Sequence, residues 1–211
     1  MKYNILFFLL VLFSPFLFAQ KTSEKLNHKL DKWYNGNIQL KNGQNINRTF
    51  AYNPMTTEGL LKVKEGNKVS TLTVHHVKKF SFYDSLEFRT RDFYPMAVKP
   101  GRELFIELIH ESNKFLLLCR ETVSISHFSY GYYRHALPTT KNQLLKYLYY
   151  KEKDEFVNMS KEGLFYCMEN RKKLMKKYIK SKNLNLKNND DIILVLNYYD
   201  KLEIIDLQDN N

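Results

Sequence analysis

The sequence predicts an α+β protein. A mainly antiparallel β body, a small barrel or a sandwich in one or two lobes, precedes a C-terminal helical segment. Three observations carry this reading. Short alternating apolar runs recur from Trp33 to Asn158, separated by Gly, Asn and Asp turn residues. Tyr and Phe, fifteen of each, bring aromatics to 15% of the chain, and such side chains suit a pleated, half-buried surface. From Ser160 the apolar spacing changes from the strand period to the helical one.

The elements follow in order. Residues 33–159 form the β-rich body. The run 36–40 alternates, and Lys41-Asn42-Gly43-Gln44 is a hairpin turn in which Asn-Gly supplies positive φ angles. A return strand spans 45–52, Asn53-Pro54 turns, and a third strand covers 59–63. Glu65-Gly66-Asn67 turns tightly into 69–74, and 77–83 alternates with Phe80 and Phe82 on one face. Residues 89–95, rich in charge and ending in Pro95, read as a looser connection. A hairpin of 103–109 and 114–119 closes at Glu111-Ser112-Asn113. Residues 123–133 are a separate alternating strand, and a last hairpin, 144–150 with 155–158, turns at Lys153-Asp154. The groups 33–83 and 103–158 can be two lobes.

The helical segment spans 160–205. Ser160 caps a helix over 161–182, with Leu164, Cys167, Met168, Leu174, Met175, Tyr178 and Ile179 on one face. Its lysines lie mainly on the other face, and those in the last turns suit the negative end of the helix dipole. After a polar break at 183–189, Asn189 or Asp190 caps a second helix of about 10–12 residues. The end, 206–211, should fray.

The first nineteen residues read as a signal peptide. Lys2 precedes an apolar run from Ile5 to Phe13, Ser14-Pro15 breaks it, and Phe18-Ala19 supplies a small residue for cleavage. The run is shorter than the roughly 20 residues needed to span a bilayer. No cysteine follows Ala19, which argues against a lipid anchor. The expected product is exported to the periplasm, the envelope or the medium, with a flexible lead-in over 20–32. The formal charge is +11, which suits lipopolysaccharide, anionic glycan, peptidoglycan or biofilm DNA, or simply a solvated lysine-rich exterior. Cys119 and Cys167 permit one disulfide in an oxidising compartment. Each sits among apolar neighbours, however, which favours buried free thiols.

Three stretches carry a family resemblance. One is Gly36-Asn37-Ile38-Gln39-Leu40-Lys41-Asn42-Gly43, continued by Phe50-Ala51-Tyr52-Asn53-Pro54, Glu65-Gly66 and Val77-Lys78-Lys79-Phe80-Ser81-Phe82. The next is Phe105-Ile106-Glu107-Leu108-Ile109 with Phe115-Leu116-Leu117-Leu118. The last is Phe165-Tyr166-Cys167 with Lys173-Leu174, Asp190-Asp191-Ile192 and Asn197-Tyr198-Tyr199. With these the chain resembles a group of exported, uncharacterised proteins of Bacteroidota, from which its spacers between Gly/Asn turns depart. The resemblance implies a β-rich envelope protein with a helical tail and carries over no activity and no catalytic residue.

No motif points to catalysis. There is no Gly-x-Ser-x-Gly, His-Glu-x-x-His, Cys-x-x-Cys or phosphate-cradling glycine run. No catalytic, cofactor-binding or metal-ligating residue is assigned, no cofactor is expected, and the enzyme class is disfavoured. Cys119 and His127 would meet only across a hairpin, and His75-His76 alternate across a strand rather than chelate. Glu103 and Glu107 share one strand face, which suits a carboxylate pair for glycoside hydrolysis and, equally well, a solvated sheet surface. Two surfaces are candidate ligand sites. Tyr130, Tyr132 and Tyr133 with Arg134 can stack on a sugar or a base. Lys172, Lys173, Lys176 and Lys177 form the basic side of the first helix, suited to an anionic surface. Asp84-Ser85-Leu86 resembles a bacterial O-glycan attachment site with Ser85 as acceptor.

The function class expected is therefore a non-enzymatic exported binding or structural module of the cell envelope. The alternatives are an adaptor for anionic glycan or envelope surfaces through a basic face, and a hydrolase whose site carries no motif. Partners of the first two are an envelope protein, an anionic glycan or a membrane surface that the mature chain does not span. Nucleic acid is a disfavoured partner, and the oligomeric state is open.

Overall fold

The computed structural model describes residues 32–54, 59–99, 101–127 and 138–209. The expected signal peptide (1–19) and all of the lead-in except Lys32 lie outside them, as do Tyr130, Tyr132, Tyr133 and Arg134.

Ten strands are β1 (Trp33–Leu40), β2 (Asn45–Tyr52), β3 (Leu60–Glu65), β4 (Lys68–Thr73), β5 (Val77–Asp84), β6 (Arg89–Lys99), β7 (Arg102–Glu111), β8 (Phe115–His127), β9 (Pro138–Tyr150) and β10 (Glu155–Asn158). The helices are α1 (Lys161–Cys167), α2 (Lys172–Ser181) and α3 (Asn189–Asp209), with a 3-10 turn at Glu169–Arg171 before α2. All ten strands join one antiparallel sheet in the order β10-β9-β8-β7-β6-β5-β1-β2-β3-β4. The α+β class is therefore as expected. The two strand groups are not separate sheets, because β5 through β7 continue directly from one to the other.

The sheet curls without closing. Tyr52 on β2 packs its ring 6.0 Å from that of Phe105 on β7, and its hydroxyl donates to the Phe105 carbonyl oxygen. Those strands lie four places apart, about 19 Å in a flat sheet at the usual strand spacing. Only strong coiling brings them into contact, and the surface it encloses is aromatic. Phe80 stacks on Phe93 at 4.8 Å and meets Phe50, Tyr52 and Phe105 edge-on. With Ile38, Leu61, Val63 and Val77 these rings form the first core.

The second core lies on the same face of the sheet. Facing residues run from Phe93 to Glu107, Glu107 to Cys119 and Cys119 to Lys146. Alternation along β8 and β9 then puts Phe115, Leu117, Leu148 and Tyr150 on that face. The helices cover them with Leu164, Met168, Met175, Ile192, Val195, Leu196 and Tyr199.

Several expectations change. Residues 89–95 belong to a full strand, β6, rather than a connection. Pro95 lies beyond Phe93, where the pairing of β6 with β5 ends, and proline is tolerated in a stretch that is paired on one side only. Residues 114–119 and 123–127 are parts of one strand, β8, which separates Cys119 and His127 by about 27 Å of extended chain. His75 and His76 occupy the turn between β4 and β5. The helix expected over 161–182 breaks at Met168, where the hydroxyl of buried Tyr199 donates to Asn170 Oδ1 across the break. A buried phenol usually finds such a partner, and this one ties α3 to the break. Leu174, expected on the inner face, is exposed in consequence. Ser160 caps α1 through Gly163 N as expected, whereas Asn188, not Asn189 or Asp190, caps α3 through Asp190 N. α3 is 21 residues long, about twice the expected length.

Helix α1 touches the sheet edge through glycine. A Cβ at Gly163 would stand 2.2 Å from the Asn158 carbonyl oxygen and 2.9 Å from Val157 Cγ1. Gly163→Ala should therefore lift α1 off β10 and lower stability by about 1–3 kcal/mol. Urea unfolding measures this, with Gly66→Ala as the control for turn strain alone. A midpoint unchanged in Gly163→Ala would refute the close packing.

Candidate functional site

Buried charge marks one candidate. Between the two cores, Arg91 on β6 places Nη2 2.6 Å from Glu107 Oε2 and 2.8 Å from Glu121 Oε1, with Nη1 3.4 Å from Asp84 Oδ2. Arg89 Nη2 holds the other Glu107 oxygen at 2.6 Å. The Arg91 guanidinium also lies over the Phe93 ring, 5.3 Å from its centroid. Glu107, expected on a solvated face, is thus buried and held by two arginines. Burial alone would raise the Asp84 pKa, but the Leu86 N–H and the Arg91 guanidinium outweigh it and hold the carboxyl below its usual value. Every carboxylate of the cluster is engaged by an internal cation, so the arrangement ties strands together rather than presenting a reactive group.

The thiols are no better placed for chemistry. Cys119 and Cys167 are both free and buried, so the disulfide allowed by their even number is not formed. Cys119 faces Glu107 and Lys146 in the row between the cores, while Cys167 belongs to the helix-covered core. Burial, reinforced by Glu107, pushes Cys119 up to about 12, and burial pushes Cys167 up to about 11. Neither is a thiolate at neutral pH, and a protonated thiol is a poor nucleophile. Among the described residues, no three His, Cys, Asp or Glu side chains are grouped so as to hold a metal ion, and no helix is long and apolar enough to cross a membrane.

The concave feature with the clearest chemical character lies on the helices. The break at Met168 sets α1 and α2 around a groove of about 830 Å³. Lys172, Lys176 and Lys180, four residues apart, run along its α2 wall, and Lys161 stands on the α1 wall. Glu162 and Glu169 interrupt the positive charge. Its floor is apolar, from Phe165, Ile179 and Leu184, and Tyr166 lies at its side half exposed. Lys176 Nζ sits 5.5 Å from the Phe165 ring centroid, and Lys153, from outside the groove, sits 5.2 Å from that of Tyr166. The Tyr166 hydroxyl donates to Glu155.

The expected ligand residues separate on this geometry. Lys172 and Lys176 line the groove, whereas Lys173 and Lys177 are exposed beside it. Lys180 belongs to the basic side of the same helix, whereas Lys161 and Tyr166 were missed, because an unbroken helix offers no wall facing α2. The tyrosine cluster 130–133 and Arg134 lie outside the described residues. Ser85 is exposed in the turn between β5 and β6, but its neighbour Asp84 is buried and bound to Arg91 and Leu86 N. The same turn presents Leu86 and Phe88, 77% and 80% exposed, with Phe88 at a φ of 53°. A second concavity, about 470 Å³ on the other face of the sheet, is mainly apolar, with Met96, Leu116, Leu118 and Tyr149 in its lining and the Lys151–Glu111 ion pair beside them.

Compared with family models, with curated proteins and with solved structures, the chain matches none of them.

Replacing Arg91 by Met should cost about 3–5 kcal/mol, because buried carboxylates lose their cation. Folding lowers the Asp84 pKa, so its contribution to stability is complete above the unfolded value of about 4 and is lost as pH falls through the folded value. Asp84→Asn should accordingly flatten the acid limb of a stability–pH profile. An unchanged limb would show that Asp84 contributes nothing there. In the native protein, iodoacetamide at mildly alkaline pH should leave both thiols unmodified, and denaturant should expose both to alkylation, as mass spectrometry reads directly.

Proposed function

We propose that this chain is a non-enzymatic binding module of the cell envelope that engages polyanionic envelope material through the groove between α1 and α2. The observation that carries the proposal is the lysine row, Lys172, Lys176 and Lys180, set over an apolar floor in a concave surface. Exposed lysines on a convex face attract any anion weakly. In a groove the same charges act together on one ligand, and low-dielectric walls strengthen the attraction. The overall charge of +11 draws such ligands from a distance. Export supports the envelope part of the reading, and it rests on the leader pattern of residues 1–19. The raised thiol pKa values and the internally neutralised Arg91 cluster favour binding over turnover.

The test is retention on immobilised polygalacturonate and dextran sulfate. Binding should weaken steeply with added salt, since exposed charges are screened beyond about 10 Å at 0.1 M ionic strength. Changing Lys172, Lys176 and Lys180 together to Ala should abolish most of the retention, whereas Lys173→Ala with Lys177→Ala should reduce it less. Retention indifferent to salt, or equal loss in both variants, would remove the groove from the account.

A further inference from the structure

The groove is more specific than a patch of positive charge. Lys172, Lys176 and Lys180 rise along α2 by about 6 Å per step, four residues of helix each. Three cations at a regular interval match an anion that repeats along a chain better than a single multivalent ion. Glu162 and Glu169 stand in the same lining. A polyphosphate, with a charge on every unit and no neutral donor, would meet only repulsion from them. An acidic sugar chain is repelled at its carboxylates too, but its hydroxyl groups donate hydrogen bonds to the ionised glutamates and offset that repulsion. Tyr166 adds a half-exposed aromatic ring at the groove side, a surface on which the apolar face of a sugar ring packs.

We infer that the groove binds a linear acidic polysaccharide bearing one carboxylate per sugar, with successive carboxylates on Lys172, Lys176 and Lys180, hydroxyls on Glu162 and Glu169, and one sugar against Tyr166. This inference rests on the proposed function and narrows its ligand to polyuronate-type chains.

Calorimetric titration of the full chain with galacturonic acid and with its oligomers of two, three and five units tests it. Maltopentaose serves as the uncharged control and a single-stranded oligothymidylate as the polyphosphate control. Affinity should rise about tenfold from the monosaccharide to the trisaccharide and then level off, as the row of three lysines is filled. Lys180→Ala should move the plateau from three units to two. Tyr166→Ala should weaken every oligomer, while Tyr166→Phe, which keeps the ring, should retain binding. Circular dichroism and melting of each variant establish that it is folded. Binding without length dependence, or a plateau unmoved by Lys180→Ala, would overturn the ladder and leave a general polyanion groove. Tighter binding of oligothymidylate than of an oligogalacturonate of equal charge would overturn the glycan assignment. Absence of binding to every anionic probe at low salt would overturn both this inference and the proposed function.

Discussion

The fold turns on how Arg91 is accommodated. A guanidinium inside a protein is costly unless carboxylates meet it in good geometry. Here they come from three other strands: Asp84 from β5, Glu107 from β7 and Glu121 from β8. Each contact requires its strand to be in the observed register, since a slip of one residue turns every side chain to the opposite face. The cluster therefore pins the middle of the sheet at the place where one core ends and the other begins. Its charges also meet the aromatic core, because Arg91 lies against Phe82 and Phe93, so neither region is free to repack alone.

Much of the β body was legible because hairpin turns write themselves locally. Asn42-Gly43 turns where expected, although Gly43 alone and not Asn42 takes positive φ, Gly66-Asn67 closes β3 on β4, and Asp154 adopts positive φ between β9 and β10. What escaped was set by distant partners. Arg89, Arg91 and Asp92 look like loop residues because nothing nearby in sequence announces Glu107 or Glu121. A curled sheet is expected from the strand spacing, but how far it curls is not, as that depends on Tyr52 meeting Phe105 across four strand places.

The candidate site divides the same way. The lysine spacing of α2 is plain in the sequence, and so is the apolar stripe behind it. The concavity is not, because it follows from a break that the periodicity of Leu164, Met168 and Met175 does not signal. Asn170 alone hints at it, a poor helix former whose side chain receives the Tyr199 hydroxyl from α3. A surface chemistry that local pattern suggests is thus given its shape by a contact made between helices.

The unequal dependence of the two cores on the rest of the chain has a consequence for assembly. The first core is complete by Phe105 and needs no helix to cover it. The second consists of a sheet surface and the helices that arrive after it. Polypeptides emerge N-terminus first. The aromatic half can thus condense while the remainder is still being delivered, and it offers the free edge of β7 as a template on which β8 and then later strands add in turn. The interval of vulnerability then falls between the appearance of β8 and β9 and the arrival of α3, when Leu117 and Leu148 have no cover. A helper that shields apolar surface would be needed in that window and not before it.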